Sequence, residues 1–209
     1  MHSHCNQFGN ATALEKGSPL PKKIDHAERR SELARALWRV MTRQGLEAVS
    51  LRHVAAEAGV SMGMVQHYFA DKGEMVLFAL SSMTEQVSAR MGTLLAAAPD
   101  TPQARIRAVL TAILPLDAER RLEAQVAVTF LAHAPVDPRI GEYLRDGYAQ
   151  GHAYLAEQLT AAGVIDPGAA ASELLALTDG LTIHTLADHH TPETAEAILD
   201  THLTRLVGE

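Results

Sequence analysis

At four places beyond residue 100 a side chain able to cap a helix stands directly before a proline: Thr101-Pro102, Asp137-Pro138, Asp166-Pro167 and Thr191-Pro192. A Thr or Asp oxygen accepts from the orphan N–H groups of a first helical turn, and proline suits the first helical position because its missing N–H would find no partner there. Each pair therefore predicts a helix start. Similar punctuation recurs without proline at Ser50, Ser61, Asp71 and Asp117. Ser50 heads a short helix from Leu51 to Ala58, closed by Gly59, and Ser61 heads a third from Met62 to about Phe69. Asp71 with Glu74 forms a capping-box-like pair that opens a long helix running to about Ala97. Upstream, from Ile24, Leu33, Leu37, Val40 and Met41 share one stripe at helical spacing, and Gly45 supplies a left-handed stop. Nine helices result, with no internal repeat or low-complexity segment. Aromatic residues make up only 4%, and β-branched runs bounded by turn residues are scarce, so the expected fold class is all-α.

Composition removes several functional classes. The single Cys5 cannot form an internal disulfide, which suits a reducing compartment. No secretory apolar segment follows Met1, and every apolar run is interrupted well before the roughly 20 residues of a membrane span, so the cytoplasm is expected and no membrane partner. The net charge of −7 argues against a protein coated in nucleic acid. Its distribution is uneven: residues 22–78 carry nine Lys plus Arg against seven Asp plus Glu, whereas 79–209 carry eight against seventeen. A mildly basic head on an acidic body fits a nucleic-acid-binding module joined to another module, although ordinary surface scatter would look similar. Residues 1–23 mix Gly, Asn, Ser and Pro without periodicity and read as a flexible, disordered tail. His2, His4 and Cys5 there are potential soft-metal ligands of the adventitious kind. No metal or cofactor is expected.

The stretch from Ser50 to Lys72 carries the function. Its two short helices are joined by Gly59-Val60-Ser61, a spacing that lets Val54, Ala55 and Ala58 pack against Val65 and Phe69 and makes the second helix stand out from the domain. Met62, Met64, Gln66, His67 and Tyr68 then face largely outward, offering donors and acceptors suited to phosphates and base edges. Two enzyme-like strings lie in the same region and neither has its required context. Gly59-Val60-Ser61-Met62-Gly63 matches a nucleophile elbow, but a helix precedes Ser61 where that motif needs a strand. Tyr68 and Lys72 have the spacing of some reductases, yet no glycine-rich phosphate loop follows a strand anywhere. None of the eleven His sits in an H-E-x-x-H string, and none beyond the terminal His2 and His4 has a Cys nearby, so zinc catalysis lacks its ligands. No enzymatic activity is expected.

This pattern resembles the DNA-binding head of the TetR family from about Ile24 to Leu80: three helices leading into a long fourth. The resemblance implies a dimeric regulator of double-stranded operator DNA. It places Arg52 near the start of the second helix, where relatives reach a phosphate or base, and Ser61, Met62, Met64, Gln66, His67 and Tyr68 on the recognition helix or its cap. Lys72 falls where family members touch the DNA backbone, and Gln66 stands where many carry tyrosine. The expected organisation is a tail (1–23), a head (24–71) and a helical ligand-binding and dimerisation body (72–209), with 72–97 as connector.

The body from Ile113 to Ala134, with Val136-Asp137-Pro138, resembles the BetI-like branch, and such bodies enclose an effector pocket. Polar groups on otherwise apolar helical stretches are its candidate lining: Thr129, His133, Tyr148, His152, Asp179, Thr182 and His184. These include no Lys or Arg, so a neutral or cationic small organic effector is expected. Excess apolar surface on the last two helices, at Leu174, Leu181, Ile198, Leu199, Leu203 and Leu206, points to a two-fold four-helix dimer interface, as the family implies. The leading expectation is a repressor released by a small molecule. A DNA-binding regulator without such an effector, or a helical enzyme or carrier with a vestigial head, are the alternatives.

Overall fold

The computed structural model describes residues 22–208, with side chains from His26 onward. Within that span lie nine helices and no strand: α1 (Lys22–Gln44), α2 (Leu51–Ala58), α3 (Met62–Tyr68), α4 (Lys72–Ala97), α5 (Pro102–Ile113), α6 (Ala118–His133), α7 (Pro138–Ala161), α8 (Pro167–Leu186) and α9 (Pro192–Val207). The metal-ligand candidates His2, His4 and Cys5 lie outside the described residues. Helix α1 begins at Lys22, two residues before the expected Ile24.

Every expected cap is made. Ser50 Oγ accepts from His53 N at 3.2 Å, Ser61 Oγ from Met64 N at 3.2 Å and Asp71 Oδ1 from Glu74 N at 2.8 Å. Glu74 reaches back to accept from Ala70 N at 2.8 Å, one residue before the cap, so it ties down the entering chain in place of the reciprocal bond to Asp71 N. The Thr and Asp residues before the four prolines cap α5, α7, α8 and α9. Gly45 and Gly59 take φ of +82° and +68°, a left-handed conformation that glycine adopts without a Cβ clash. Helix α3 ends one residue earlier than its expected end because Phe69 turns extended, at φ −139° and ψ 123°, and enters the core.

Burial falls into two apolar clusters. The first gathers Leu33, Leu37, Trp38 and Met41 of α1, Val54 and Ala55 of α2, Val65 of α3, Phe69, and Met75, Ala79 and Leu80 of α4. The expected packing of α2 on α3 is present, with Ala58 half-buried against the same cluster. Trp38 Nε1 donates to the Ala79 carbonyl at 3.1 Å, so the buried indole ties α1 to α4 without an unpaired N–H. Val126 and Phe130 of α6 and Ile140 of α7 belong to this same cluster. The second cluster joins Ile106, Leu110, Leu155, Leu159, Leu174, Leu181, Leu199 and Leu203, and so unites α5, α7, α8 and α9.

The second cluster corrects the expected dimer surface. Leu174, Leu181, Leu199 and Leu203 are between 0% and 4% exposed within one chain and are not available to a partner. Ile198 and Leu206 are half-buried beside them. The outward stripe of α8 instead carries Ala176, Asp179 and Ile183, and that of α9 carries Thr194, Ala197 and Thr201. Among the described residues no helix is long and apolar enough to cross a membrane.

Phe130, 0% exposed, is the largest side chain that the body lends to the first cluster. Phe130→Ala is expected to lower stability by about 3–5 kcal/mol in urea unfolding. A loss below about 1 kcal/mol would show that α6 is not structurally part of that core.

Candidate nucleic-acid interface and ligand cavity

Helix α3 is held by one buried face and otherwise presents itself to solvent. Val65 is fully buried, while Met62 and Met64 are 46% and 40% exposed and Gln66 and His67 are exposed. Two thioether side chains left in water beside an amide and an imidazole are unexpected on a helix with no partner. Arg52, the second residue of α2, is exposed. Ser61 spends an oxygen lone pair on its cap and keeps its hydroxyl proton free to donate.

Two residues are less outward than expected. Tyr68 is half-buried, its ring 4.5 Å from that of His26 and 5.1 Å from that of His67. His26, on α1, was not among the expected site residues; 41 positions separate it from His67, and nothing local in the sequence links them. Lys72 is half-buried, and its ammonium donates to the Glu47 carbonyl at 3.1 Å. That bond pins the turn between α1 and α2 to the first residue of α4 and leaves two ammonium donors free. Behind α2, Arg39 and Arg43 both pair with Glu57, and the Arg39 hydrogen bond holds that carboxyl below its usual range.

The expected effector lining does not converge. The Thr129 hydroxyl donates to the Gln125 carbonyl of its own helix. His133 bonds to the Thr129 carbonyl through Nδ1 and faces Glu47 of the head at 3.5 Å through Nε2. Tyr148 is 52% exposed and stacks on His152, whose Nε2 meets the Gly168 carbonyl and Ser172. Thr182 is half-buried on α8, and His184 sits against His189 and His190 at its end. Asp179 lies on the outward stripe of α8. The seven are therefore dispersed over three helices and open surface, because polar groups on apolar stretches were spaced by sequence and not by helix rotation.

A different cavity, about 160 Å³, lies between α4, α5 and α6. Its walls include Met83, Val87, Ile113, Ala124 and Ala127, with Arg90, Arg120 and Glu123 among them. Glu123 is 4% exposed and is clasped by both terminal nitrogens of Arg90, whose Nε donates to the Ala112 carbonyl at 3.0 Å. Arg120 pairs with Asp117 at 3.0 Å and reaches the Thr111 carbonyl. Arg90, Arg120 and Glu123 were not among the expected lining residues; charged residues on otherwise apolar helical stretches are the signal that points to them.

The fold and the exposed α3 define a helix-turn-helix regulator, with a helical body that encloses a small cavity. Residues 33–78 match the model of the tetR family of bacterial regulatory proteins, and 102–208 match that of the BetI-type transcriptional repressor C-terminal domain. The chain belongs to the TetR family, a family of transcription regulators and not of enzymes. It is 34% identical over 173 residues to the HTH-type transcriptional regulator PksA of Bacillus subtilis, covering 81% of this chain and 84% of that one. Identity to the regulator BetI of Burkholderia thailandensis is 33% over 169 residues, or 78% and 84% of the two chains. Among solved structures, a transcriptional regulator from Rhodococcus sp. Rha1 superposes with a TM-score of 0.77 at 33% identity, covering 85% of this chain and 95% of that chain. A regulator from Saccharomonospora viridis in complex with choline gives 0.73 at 23% identity, over 86% and 95% of the chains, and shares the fold.

Asp179 stands on the outward stripe of α8, yet the protein atoms around its carboxyl strip enough water from it to hold it above its ordinary value. A carboxyl whose pKa is higher folded than unfolded favours folding while protonated, and that contribution is lost as pH rises from the unfolded through the folded pKa. Asp179→Asn is therefore expected to raise the melting temperature at pH 7 and to leave it nearly unchanged near pH 3. An equal effect at both pH values would overturn this assignment.

Proposed function

We propose that this regulator represses transcription from a two-fold symmetric operator and is released by a small molecule held in its body. The observation that carries the reading is the exposed face of α3, where Met62, Met64, Gln66 and His67 stand clear of a head packed on Val65 and Phe69. In this reading the head spans 24–71 and the body 72–209, and the protein acts in the cytoplasm. Gln66 and His67 read base edges, Met62, Met64 and Tyr68 give apolar contact, and Arg52, Ser61 and Lys72 hold phosphates. His26 braces Tyr68 and His67 from α1.

A palindromic operator needs two heads about 34 Å apart, or a multiple of one turn, and so a dimer. The outward stripes of α8 and α9 suit a four-helix contact: Ala176, Ala197, Thr194 and Thr201 are small, and Ile183 is 53% exposed. A surface groove runs beside them, lined in part by Leu177, Ile198 and His202. Helix α4 links this body to the DNA: its 26 residues span about 39 Å from Lys72, beside the head, to Ala97. A ligand that binds better to a body shape with mis-spaced heads lowers operator affinity by the same coupling factor.

Sequencing of genomic fragments captured by the protein is expected to return one palindromic sequence. Affinity for it should fall steeply with salt, as phosphate contacts require. Lys72→Ala should weaken all sequences alike, whereas Gln66→Ala or His67→Ala should change the preferred sequence by about 1–3 kcal/mol per base pair. A shallow salt slope with no enriched sequence would remove the DNA-binding reading.

Dimerisation is tested separately, by light scattering. Ile183→Asp and Thr201→Arg place charge on the outward stripes without touching the chain's own core and are expected to give folded monomers with poor operator affinity. Dimers that survive both substitutions would place the interface elsewhere.

A further inference from the structure

The cavity between α4, α5 and α6 has a chemistry that narrows its ligand. Resting on the proposal that a small molecule held in the body releases the repressor, we infer that this cavity is its site and takes a small amphipathic carboxylate, seated on Arg120, and not a quaternary ammonium compound. Three observations converge on that class.

The first is charge. Two guanidiniums, Arg90 and Arg120, face one carboxylate, Glu123, among the lining residues. Glu123 is already taken: both terminal nitrogens of Arg90 hold it in a buried, bidentate pair. An incoming ammonium would have to compete with Arg90 for that carboxylate while lying beside a second guanidinium. Breaking a buried ion pair leaves an uncompensated charge in a poor solvent.

The second is the supply of donors. A guanidinium carries five N–H groups and no acceptor. Arg120 uses its Nε on Asp117 and a terminal nitrogen on the Thr111 carbonyl at a long 3.4 Å. Asp117 is the weaker competitor, because its side chain is 54% exposed where that of Glu123 is 5% exposed. Arg120 therefore has N–H groups to spare, and a planar two-oxygen acceptor matches the guanidinium fork. A carboxylate that binds Arg120 leaves the Arg90–Glu123 pair intact.

The third is the remaining wall. Met83, Val87, Ile113, Ala124 and Ala127 are aliphatic or thioether, and Thr84 donates its hydroxyl to the Leu80 carbonyl of its own helix. Among the described residues no aromatic ring lines the cavity, so it offers none of the π-faces that hold a quaternary ammonium ion. A volume of about 160 Å³ corresponds to roughly ten water-sized probes, or a ligand of about ten non-hydrogen atoms. An aliphatic or aryl tail of seven or eight carbons behind one carboxylate fills that space. The earlier expectation of a neutral or cationic ligand followed from seven residues that do not form a cavity, and it is replaced by this one.

Isothermal titration of the full-length protein tests the inference with octanoate and phenylacetate against octylamine, octanol and choline. Octanoate and phenylacetate are expected to bind and to raise the melting temperature, and the amine, the alcohol and choline to do neither. Arg120→Gln should weaken carboxylate binding at least tenfold, and Arg120→Lys less, because it keeps the charge and loses the fork. Glu123→Gln, which removes the one lining carboxylate and leaves Arg120 in place, should not weaken it. Binding of choline or octylamine that Glu123→Gln abolishes would overturn the inference, as would unchanged carboxylate affinity in a folded Arg120→Gln protein. So would the absence of carboxylate binding at millimolar concentration. Operator affinity is measured in a separate arm: carboxylate binding without any change there upholds the ligand class and overturns derepression alone.

Discussion

The molecule depends on an apolar core that α1, α2 and α3 do not complete by themselves. Leu33, Trp38, Val65, Phe69 and Leu80 close over one another only together with Val126 and Phe130 of α6 and Ile140 of α7. Phe130 and Phe69 are among the largest fully buried side chains, and each removes an area from water that a three-helix unit of under fifty residues would have difficulty covering. The head is therefore seated on the body by the hydrophobic effect, with the Trp38 hydrogen bond to Ala79 fixing its register on α4.

In the proposed reading, this shared core gives a movement in the body two routes to the head. The long rod of α4 is one mechanical route. The end of α6 is a second, since Phe130 lies inside the head's core and His133 faces Glu47. Lys72 joins the two routes: it opens α4, and its ammonium bonds to the Glu47 carbonyl. A displacement of α6 relative to α4 at the level of Glu123 and Arg90 therefore strains both supports of α3. Close-packed interiors pass such displacements on as discrete repacking and not as smooth deformation. The small cavity is bounded by α4, α5 and α6, so two of its three walls are the two routes to the head.

The same geometry explains why α3 combines exposed methionines with polar groups. A helix of seven residues that is held by Val65, by the half-buried Tyr68 and by its two caps leaves Met62, Met64, Gln66 and His67 largely free of packing duty. Those positions are then available for contacts outside the chain. The aromatic group of His26, His67 and Tyr68 stiffens one end of that surface.

Helix boundaries were legible because a cap acts over three residues: Ser50 on His53, Ser61 on Met64 and Asp71 on Glu74 need no knowledge of the rest of the chain. The inner and outer faces of α2 and α3 were legible for a related reason, since two short helices joined by a tight glycine turn have one way to bury Val54 against Val65. Tertiary structure alone decided which side of α8 and α9 faces inward. Leucines surround much of α8, so periodicity could not tell Leu174 and Leu181, buried in the chain's own core, from Ile183, left outside. It decided the cavity too. Arg90 and Glu123 are 33 positions apart, and their pairing depends on the rotation of α4 against α6, a long-range packing outcome that no local pattern encodes.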